Sequence, residues 1–396
     1  MNHQLLLEAT QRVGQPFYCY DLDGFEERLK LIQASLRPGI KVWYACKANP
    51  LSDILRLLNQ YNFGIDVASL GELKQASKNG YEGNDLIATG PAKGPSYLAS
   101  LLAHEVGCIV IESLSQLQNL NELCGKISRK QNVLLRVQFE SEDETKSVVG
   151  GNAVTPFGLG VEDWMGLNLK VYPHLNVVGL HSFQWGNILD HNQLRSIWEY
   201  TILKGKKLAY DLGIELRVFD LGGGLGVSYQ DERQLSFKEV MDTLEDLKMR
   251  FELPEIWLEL GRYLMGPYGS YLTPIVDVKK VRGKNLIVTE GGINHMARPA
   301  LVGESFPCSP LIQTDAAKSL FVIHGPLCTA LDNLGEYQLP MDLMAGDWLI
   351  FNRTGAYGFT ESMPFFLCHS LAGEIIIHRQ QIKIVRSPEN YLEWMV

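Results

Sequence analysis

Val42-Trp43-Tyr44-Ala45-Cys46-Lys47-Ala48-Asn49-Pro50 runs five apolar residues into one lysine and then into a polar turn closed by proline. A short apolar run bounded by turn residues reads as a buried strand. The lysine then sits at the strand's C-terminal edge, where core meets solvent. An amine in that position sheds part of its hydration, loses some preference for the charged form, and becomes nucleophilic toward an aldehyde. The same residues also read as a strand-end lysine reaching for water, so the segment takes its weight from its surroundings.

Working outward, the pattern repeats. Apolar runs at 42–46, 64–68, 86–89, 108–112, 133–137, 177–181, 216–221 and 256–260 are each bounded by polar or glycine-rich turns. Between most of them lie stretches with apolar residues every three or four positions, at 51–60, 70–79, 113–124 and 191–212. Eight strand-helix units are the number that closes a parallel α/β barrel, and such barrels build their sites from the C-terminal edges of the strands. Read in order, those edges carry Lys47, Asp66 with Ser69, Thr89, Glu112, Arg136, His181, the triple Gly222-Gly223-Gly224, and Glu259 with Arg262. Any one of these reads equally as a cap or a surface charge; their convergence on one face argues for a site.

After Gly266 the texture changes to β-branched and aromatic runs at 271–280, 285–289, 319–323, 348–351 and 374–382, which predicts a β-rich second domain. The opening stretch 16–21 reads as a strand able to join it. The expected division is therefore a barrel over 22–265 and a β-domain made of 1–21 and 266–396. There is no internal repeat or low-complexity tract.

Composition narrows the function classes. The 396 residues are 46% hydrophobic and 20% charged, ordinary globular material with a formal charge of −9, which disfavours nucleic acid and favours small molecules or protein partners. Seven cysteines show neither close pairing nor metal-ligand spacing, so a reducing, cytoplasmic setting without a metal is expected. No apolar stretch has the length of a membrane span, and the first residues lack the basic, then apolar, pattern of an export signal.

The edges also carry chemistry. Consecutive glycines forgo side-chain packing, so Gly222-Gly223-Gly224 must serve unusual dihedrals or a close approach. After a late barrel strand, such a turn offers backbone N–H groups to a phosphate, although a tight turn alone explains it as well. In Glu259-Leu260-Gly261-Arg262, a glutamate beside a pyridine nitrogen would keep that nitrogen protonated, and Arg262 suits a phosphate that Gly261 lets approach. A plain ion pair between the two charges is the plainer alternative. His181, with Phe183 near it, has the shape to stack on a planar ring, or simply to be hydrogen-bonded. Lys47 is then the candidate for a Schiff base with pyridoxal phosphate.

With these residues assembled, the chain resembles the fold-type III pyridoxal-phosphate decarboxylases, which include diaminopimelate and ornithine decarboxylases. The resemblance runs from Pro16-Phe17-Tyr18 to Gly355-Ala356-Tyr357-Gly358. It implies an alanine racemase-like (β/α)8 TIM barrel with a β-sandwich or β-barrel domain, and a head-to-tail homodimer with shared active sites. It makes Lys47 the Schiff-base lysine, His181 the residue stacked on the ring and Glu259 the partner of the pyridine nitrogen. Gly222, Gly223, Gly224, Gly261, Arg262 and Tyr357 become phosphate-site residues, and Asp66 and Arg136 lie near the cofactor. Cys328, in Gly325-Pro326-Leu327-Cys328-Thr329, matches the cysteine that protonates the product carbanion from across the dimer interface; on its own it reads as a buried structural thiol.

Departures from the pattern bear on substrate. Arg298, within Gly291-Gly292-Ile293-Asn294-His295-Met296-Ala297-Arg298, matches the residue that meets the substrate's distal end, but Val302 replaces a tyrosine. Thr329 stands where diaminopimelate decarboxylases have glutamate and ornithine decarboxylases aspartate to hold a distal ammonium, with Asp332 a partial substitute. Gly325–Thr329 together with Gly355–Gly358 is similar to a subgroup resembling the decarboxylase of glutamyl-carrier protein, whose relatives serve siderophore pathways and exosortase-linked clusters. The segment His181-Ser182-Phe183-Gln184-Trp185-Gly186-Asn187 has that subgroup's longer form, with Gly186 where a hydroxyl residue helps hold phosphate. Lys93, in Gly90-Pro91-Ala92-Lys93, fits the subgroup too, while the segment alone reads as a solvated loop. The expected activity is decarboxylation of an amino acid, tethered or modified rather than free and basic. Diaminopimelate- or ornithine-type activity and racemisation are the alternatives; an amino-acid racemase would carry arginine, not Glu259, at the pyridine nitrogen.

Overall fold

The computed structural model describes residues 3–140, 151, 153–231 and 234–388. The chain divides into two compact units, one of Leu29–Val227 with Arg233–Tyr263, the other of Met1–Arg28, Ser228–Glu232 and Leu264–Val396.

In the first unit, eight parallel strands close on themselves: Ile40–Ala45, Gly64–Val67, Leu86–Ala88, Cys108–Ile111, Gln131–Gln138, Leu175–His181, Val218–Asp220 and Glu255–Leu260. Each pairs with its neighbours in sequence order, the fourth with the fifth, and the eighth with the first, Ile256 opposite Ile40 and Leu260 opposite Tyr44. All eight expected strands are present, with ends shifted by a few residues at most. Helices Ser52–Gln60, Leu70–Lys78, Leu114–Lys126 and His191–Asp211 occupy the expected intervals, and Pro95–Ala103 and Phe237–Arg250 fill two intervals that the periodicity left open.

Local chemistry fixes the strand-to-helix turns. Ser69, Ser113, Asp190 and Ser236 each accept the N–H three residues ahead and start a helix there, which meets donors that would otherwise be orphaned. Ser69 is thus a cap rather than part of the site. The barrel interior is filled by Trp43, Ile87, Cys108, Val110, Leu134, Val178, Val218 and Trp257, with the two indoles 5.1 Å apart at 64°. Gly64 is obligatory beside them, since a Cβ there would lie 2.3 Å from the Trp43 ring. Truncating a core tryptophan costs about 3–5 kcal/mol.

The second unit is a sheet in which Phe17–Asp21 lies between Gly269–Val281, antiparallel, and Gly373–His378, parallel. The sheet continues through Lys284–Thr289, Lys318–His324 and Asn333–Pro340 on one side and Gln381–Arg386 on the other, with Trp348–Asn352 joining Gly269–Val281 to Cys308–Pro310. The opening strand therefore joins the late ones as expected. The run at 374–382 is not one strand: it is a hairpin that reverses at Arg379 and Gln380, both left-handed at φ 50° and 59°. The helix His3–Val13 packs Leu6 and Ala9 onto this sheet. Among the described residues, no helix is long and apolar enough to cross a membrane.

Candidate active site

Lys47 lies in a single 3-10 turn, Cys46–Ala48, directly after the first barrel strand. Its Nζ donates to Asp66 Oδ2 at 2.6 Å, and Thr89 Oγ1 donates to Asp66 Oδ1 at 2.6 Å. Asp66 is fully buried. Burial and the nearby Glu259 push its carboxyl up, while the Lys47 amine and the Thr89 hydroxyl pull it back.

At the fourth and fifth strand ends, Glu112 Oε1 sits 3.2 Å from Arg136 Nη1 and 3.5 Å from Lys93 Nζ. The solvated-loop expectation for Lys93 is corrected here. The side chain is buried and also donates to Gly90 O; burial brings its amine down to about 8, against the pull of Glu112.

His181 ends the sixth strand and Glu259 lies in the eighth. Their Nε2 and Oε1 atoms are 3.2 Å apart, an ion-pair distance without the alignment of a hydrogen bond. Burial alone would push Glu259 up, but His181, then Lys47 and Arg136, bring it down to about 2. Phe183 packs under the glycine turn: a Cβ on Gly222, at φ +64°, would lie 2.5 Å from Phe183 Cβ. The turn runs tightly over the eighth strand, with Glu259 N donating to Gly222 O at 2.8 Å and no room for a Cβ on Gly223, 2.6 Å from Glu259 O.

Asp220 was not singled out by the sequence, although an acid ending a buried strand, with only Leu221 between it and three glycines, was a visible signal. It is fully buried, and its Oδ1 accepts Gly222 N at 2.8 Å.

In the second unit, Arg298 is buried, with Nη2 3.3 Å from Glu304 and Nη1 3.7 Å from Glu361. Asp332 is buried too, and its two oxygens are taken by Ile293 N at 2.8 Å and Leu327 N at 2.7 Å. Its carboxylate therefore ties together the two segments that carry Arg298 and Cys328, rather than standing spare for a distal ammonium. Thr329 is half-buried. Cys328 is exposed, which removes the reading as a buried structural thiol. Tyr357 takes a left-handed φ of 56° in its glycine-rich turn.

Among the described residues, Glu112 Oε2, both ring nitrogens of His181, Asp220 Oδ2 and Glu259 Oε1 are buried without a hydrogen-bond partner within the protein. Buried polar atoms are normally satisfied, so their concentration around one barrel mouth asks for a polar ligand or for a proton shared among them. A flat aromatic aldehyde with a ring nitrogen and an anionic arm would suit these groups: Lys47 offers an amine, His181 a flat ring and Glu259 a carboxylate. The residues fit pyridoxal phosphate, and the fold and site define an enzyme that works with that cofactor.

The model for the pyridoxal-binding domain of pyridoxal-dependent decarboxylases matches residues 22–266. The chain belongs to that family; it is a carboxy-lyase and its cofactor is pyridoxal 5'-phosphate. Three relatives extend the likeness over nearly the whole chain. The diaminopimelate decarboxylase of Aquifex aeolicus is 28% identical, covering 98% of this chain and 92% of its own. The L-glutamyl-[BtrI acyl-carrier protein] decarboxylase of Niallia circulans is 27% identical, covering 95% and 92%. The 2-[(L-alanin-3-ylcarbamoyl)methyl]-2-hydroxybutanedioate decarboxylase of Staphylococcus aureus is 29% identical, covering 92% and 95%.

Proposed function

We propose that this enzyme removes the α-carboxylate of an amino acid whose far end is acylated or tethered, as on a carrier protein or in a siderophore precursor, rather than a free ammonium. The observation that carries this reading is Thr329, a neutral residue where holding a distal ammonium asks for an acid. The names of two relatives describe such substrates: a glutamyl group on a carrier protein, and an alanine joined at C3 through a carbamoyl to a hydroxybutanedioate.

Pyridoxal phosphate, when bound, supplies an aldehyde for the substrate amine and a ring that withdraws electrons from the α-carbon. Lys47 would hold the aldehyde carbon through its amine, and Asp66 would orient that amine. His181 would cover one ring face, and Glu259, held as a carboxylate, would accept the hydrogen bond of a protonated ring nitrogen. Gly222, Gly223, Gly224, Gly261, Arg262 and Tyr357 would take the phosphate, with Arg136 near the cofactor. Arg298 would meet a carboxylate or other acceptor at the far end. Cys328, offered by a second copy in a head-to-tail homodimer, would return a proton to the α-carbon from its thiol.

A second reading, a free diaminopimelate- or ornithine-type decarboxylase, draws on Glu304 and Glu361, two carboxylates beside Arg298 that would suit a distal amine. Measuring CO2 release from lysine, ornithine, diaminopimelate, glutamate, carrier-bound glutamate and a side-chain-acylated diamino acid separates the two. Efficient turnover of free diaminopimelate would overturn the first. Racemisation is disfavoured by Glu259, and inverted amino acid without CO2 would restore it.

A further inference from the structure

We infer that Asp220 is a carboxylic acid rather than a carboxylate, that its hydroxyl hydrogen is shared with Glu259, and that it is a positioning residue for Glu259. Asp220 ends the seventh strand, Glu259 lies in the adjacent eighth, and oxygen atoms of both lie within 4.8 Å of each other and of a His181 ring nitrogen. Both side chains are buried, and each keeps an oxygen, Asp220 Oδ2 and Glu259 Oε1, that nothing in the protein satisfies. Two carboxylates in one desolvated pocket repel when both are charged, and a single proton between them removes the repulsion while satisfying an oxygen on each.

The surroundings decide which acid keeps the proton. Glu259 faces His181 at 3.2 Å and feels the cations of Lys47 and Arg136, which favour its charged form. Asp220 has the neutral Gly222 N–H on Oδ1, the acidic groups of Glu259 and Asp66 nearby, and the buried thiol of Cys108 within its field. Burial first, then Glu259, pushes Asp220 well above the usual carboxylate range. The outcome is a short relay in which the glycine turn fixes Asp220, Asp220 donates to Glu259, and Glu259 is held toward the ring nitrogen.

The test uses the full-length protein. Infrared difference spectra between wild type and Asp220→Asn, in the cofactor-free form at neutral pH, should reveal the carbonyl stretch of a protonated carboxyl that the variant lacks. Fluorescence titration with pyridoxal phosphate should find Asp220→Ala about tenfold weaker, as expected for one lost hydrogen bond to a charged group. Asp220→Asn keeps the shape, accepts from Gly222 and donates N–H to Glu259, so it should return to within about threefold of wild type. No carboxyl band in the difference spectrum, or an Asn variant as weak as the Ala variant, means that Asp220 acts as an anion, paired with a charged His181, and overturns the inference. Should the Ala variant not fold, the spectrum and the Asn titration still decide. The inference rests on Glu259 facing the ring nitrogen but not on any choice of substrate, and the infrared result is independent of turnover.

Discussion

The Lys47 amine and the Asp66 carboxylate meet at 2.6 Å across the ends of neighbouring parallel strands. With Asp66 pinned on its other side by Thr89, the amine is held in one place at the barrel mouth before any substrate arrives. Lys47→Ala should abolish covalent attachment: borohydride reduction followed by intact mass measurement should find the cofactor fixed to wild type and absent from the variant. Asp66→Asn should keep the attachment but slow turnover by about tenfold or more, the scale of one charge-assisted hydrogen bond.

Because Cys328 is exposed rather than packed, its replacement leaves the folded core untouched. Cys328→Ala should bind pyridoxal phosphate with the affinity of wild type while turnover falls about a hundredfold or product is diverted to an aldehyde, the range expected for losing a positioned acid. Product analysis by mass spectrometry checks this; unchanged rate and product would remove the thiol from the mechanism.

Thr329→Glu places an acid at the position proposed to face the substrate's far end. It should raise kcat/KM for free diaminopimelate by at least about tenfold, the scale of a close charge pair, and lower it for a substrate acylated at its far end. A variant with the selectivity of wild type would sever Thr329 from substrate choice.

His295 gives the pH dependence a definite sign. Burial brings its imidazole down to about 4, with a Ser370 carbonyl contact opposing. Between the ordinary histidine value near 6.5 and that of the folded state, the unfolded chain binds the proton and the folded chain does not. Stability from this group is therefore complete at neutral pH and is lost on acidification, by about 2 kcal/mol between pH 7 and 4.5. Thermal melts across that window should have a shallower acid limb in His295→Gln.

Lys93 is buried against Glu112, and burial brings its amine down to about 8. Lys93→Ala would leave that acid with Arg136 alone, and should destabilise the protein by about 3 kcal/mol in urea denaturation, where a solvated lysine would cost almost nothing.

The barrel was legible because each of its strands is a short apolar run stopped by turn chemistry, and the site because parallel strands send their ends to one face. What escaped depends on contacts distant in sequence. Lys93 sits among Gly90, Pro91 and Gly94, all loop residues, and only the folded barrel brings Glu112 beside it. Asp332 looks like a spare acid until two backbone N–H groups, from Ile293 and Leu327, are found on its oxygens. The hairpin at Arg379 and Gln380 carries no glycine, asparagine or proline to announce it, so its two strands read as one run. Asp220 was hidden by the glycines that follow it, which drew the reading to themselves.

Phe17–Asp21 is only five residues long, yet it is flanked on both sides by strands made far later in translation. As the chain leaves the ribosome, this segment emerges ahead of the barrel strands and stays unpaired while they are completed. The sheet becomes whole only when Gly373–His378 arrives. A nascent chain halted soon after Tyr263 therefore holds a finished set of barrel strands together with a bare β-strand offering two open edges, a product suited to aggregation and in need of a chaperone.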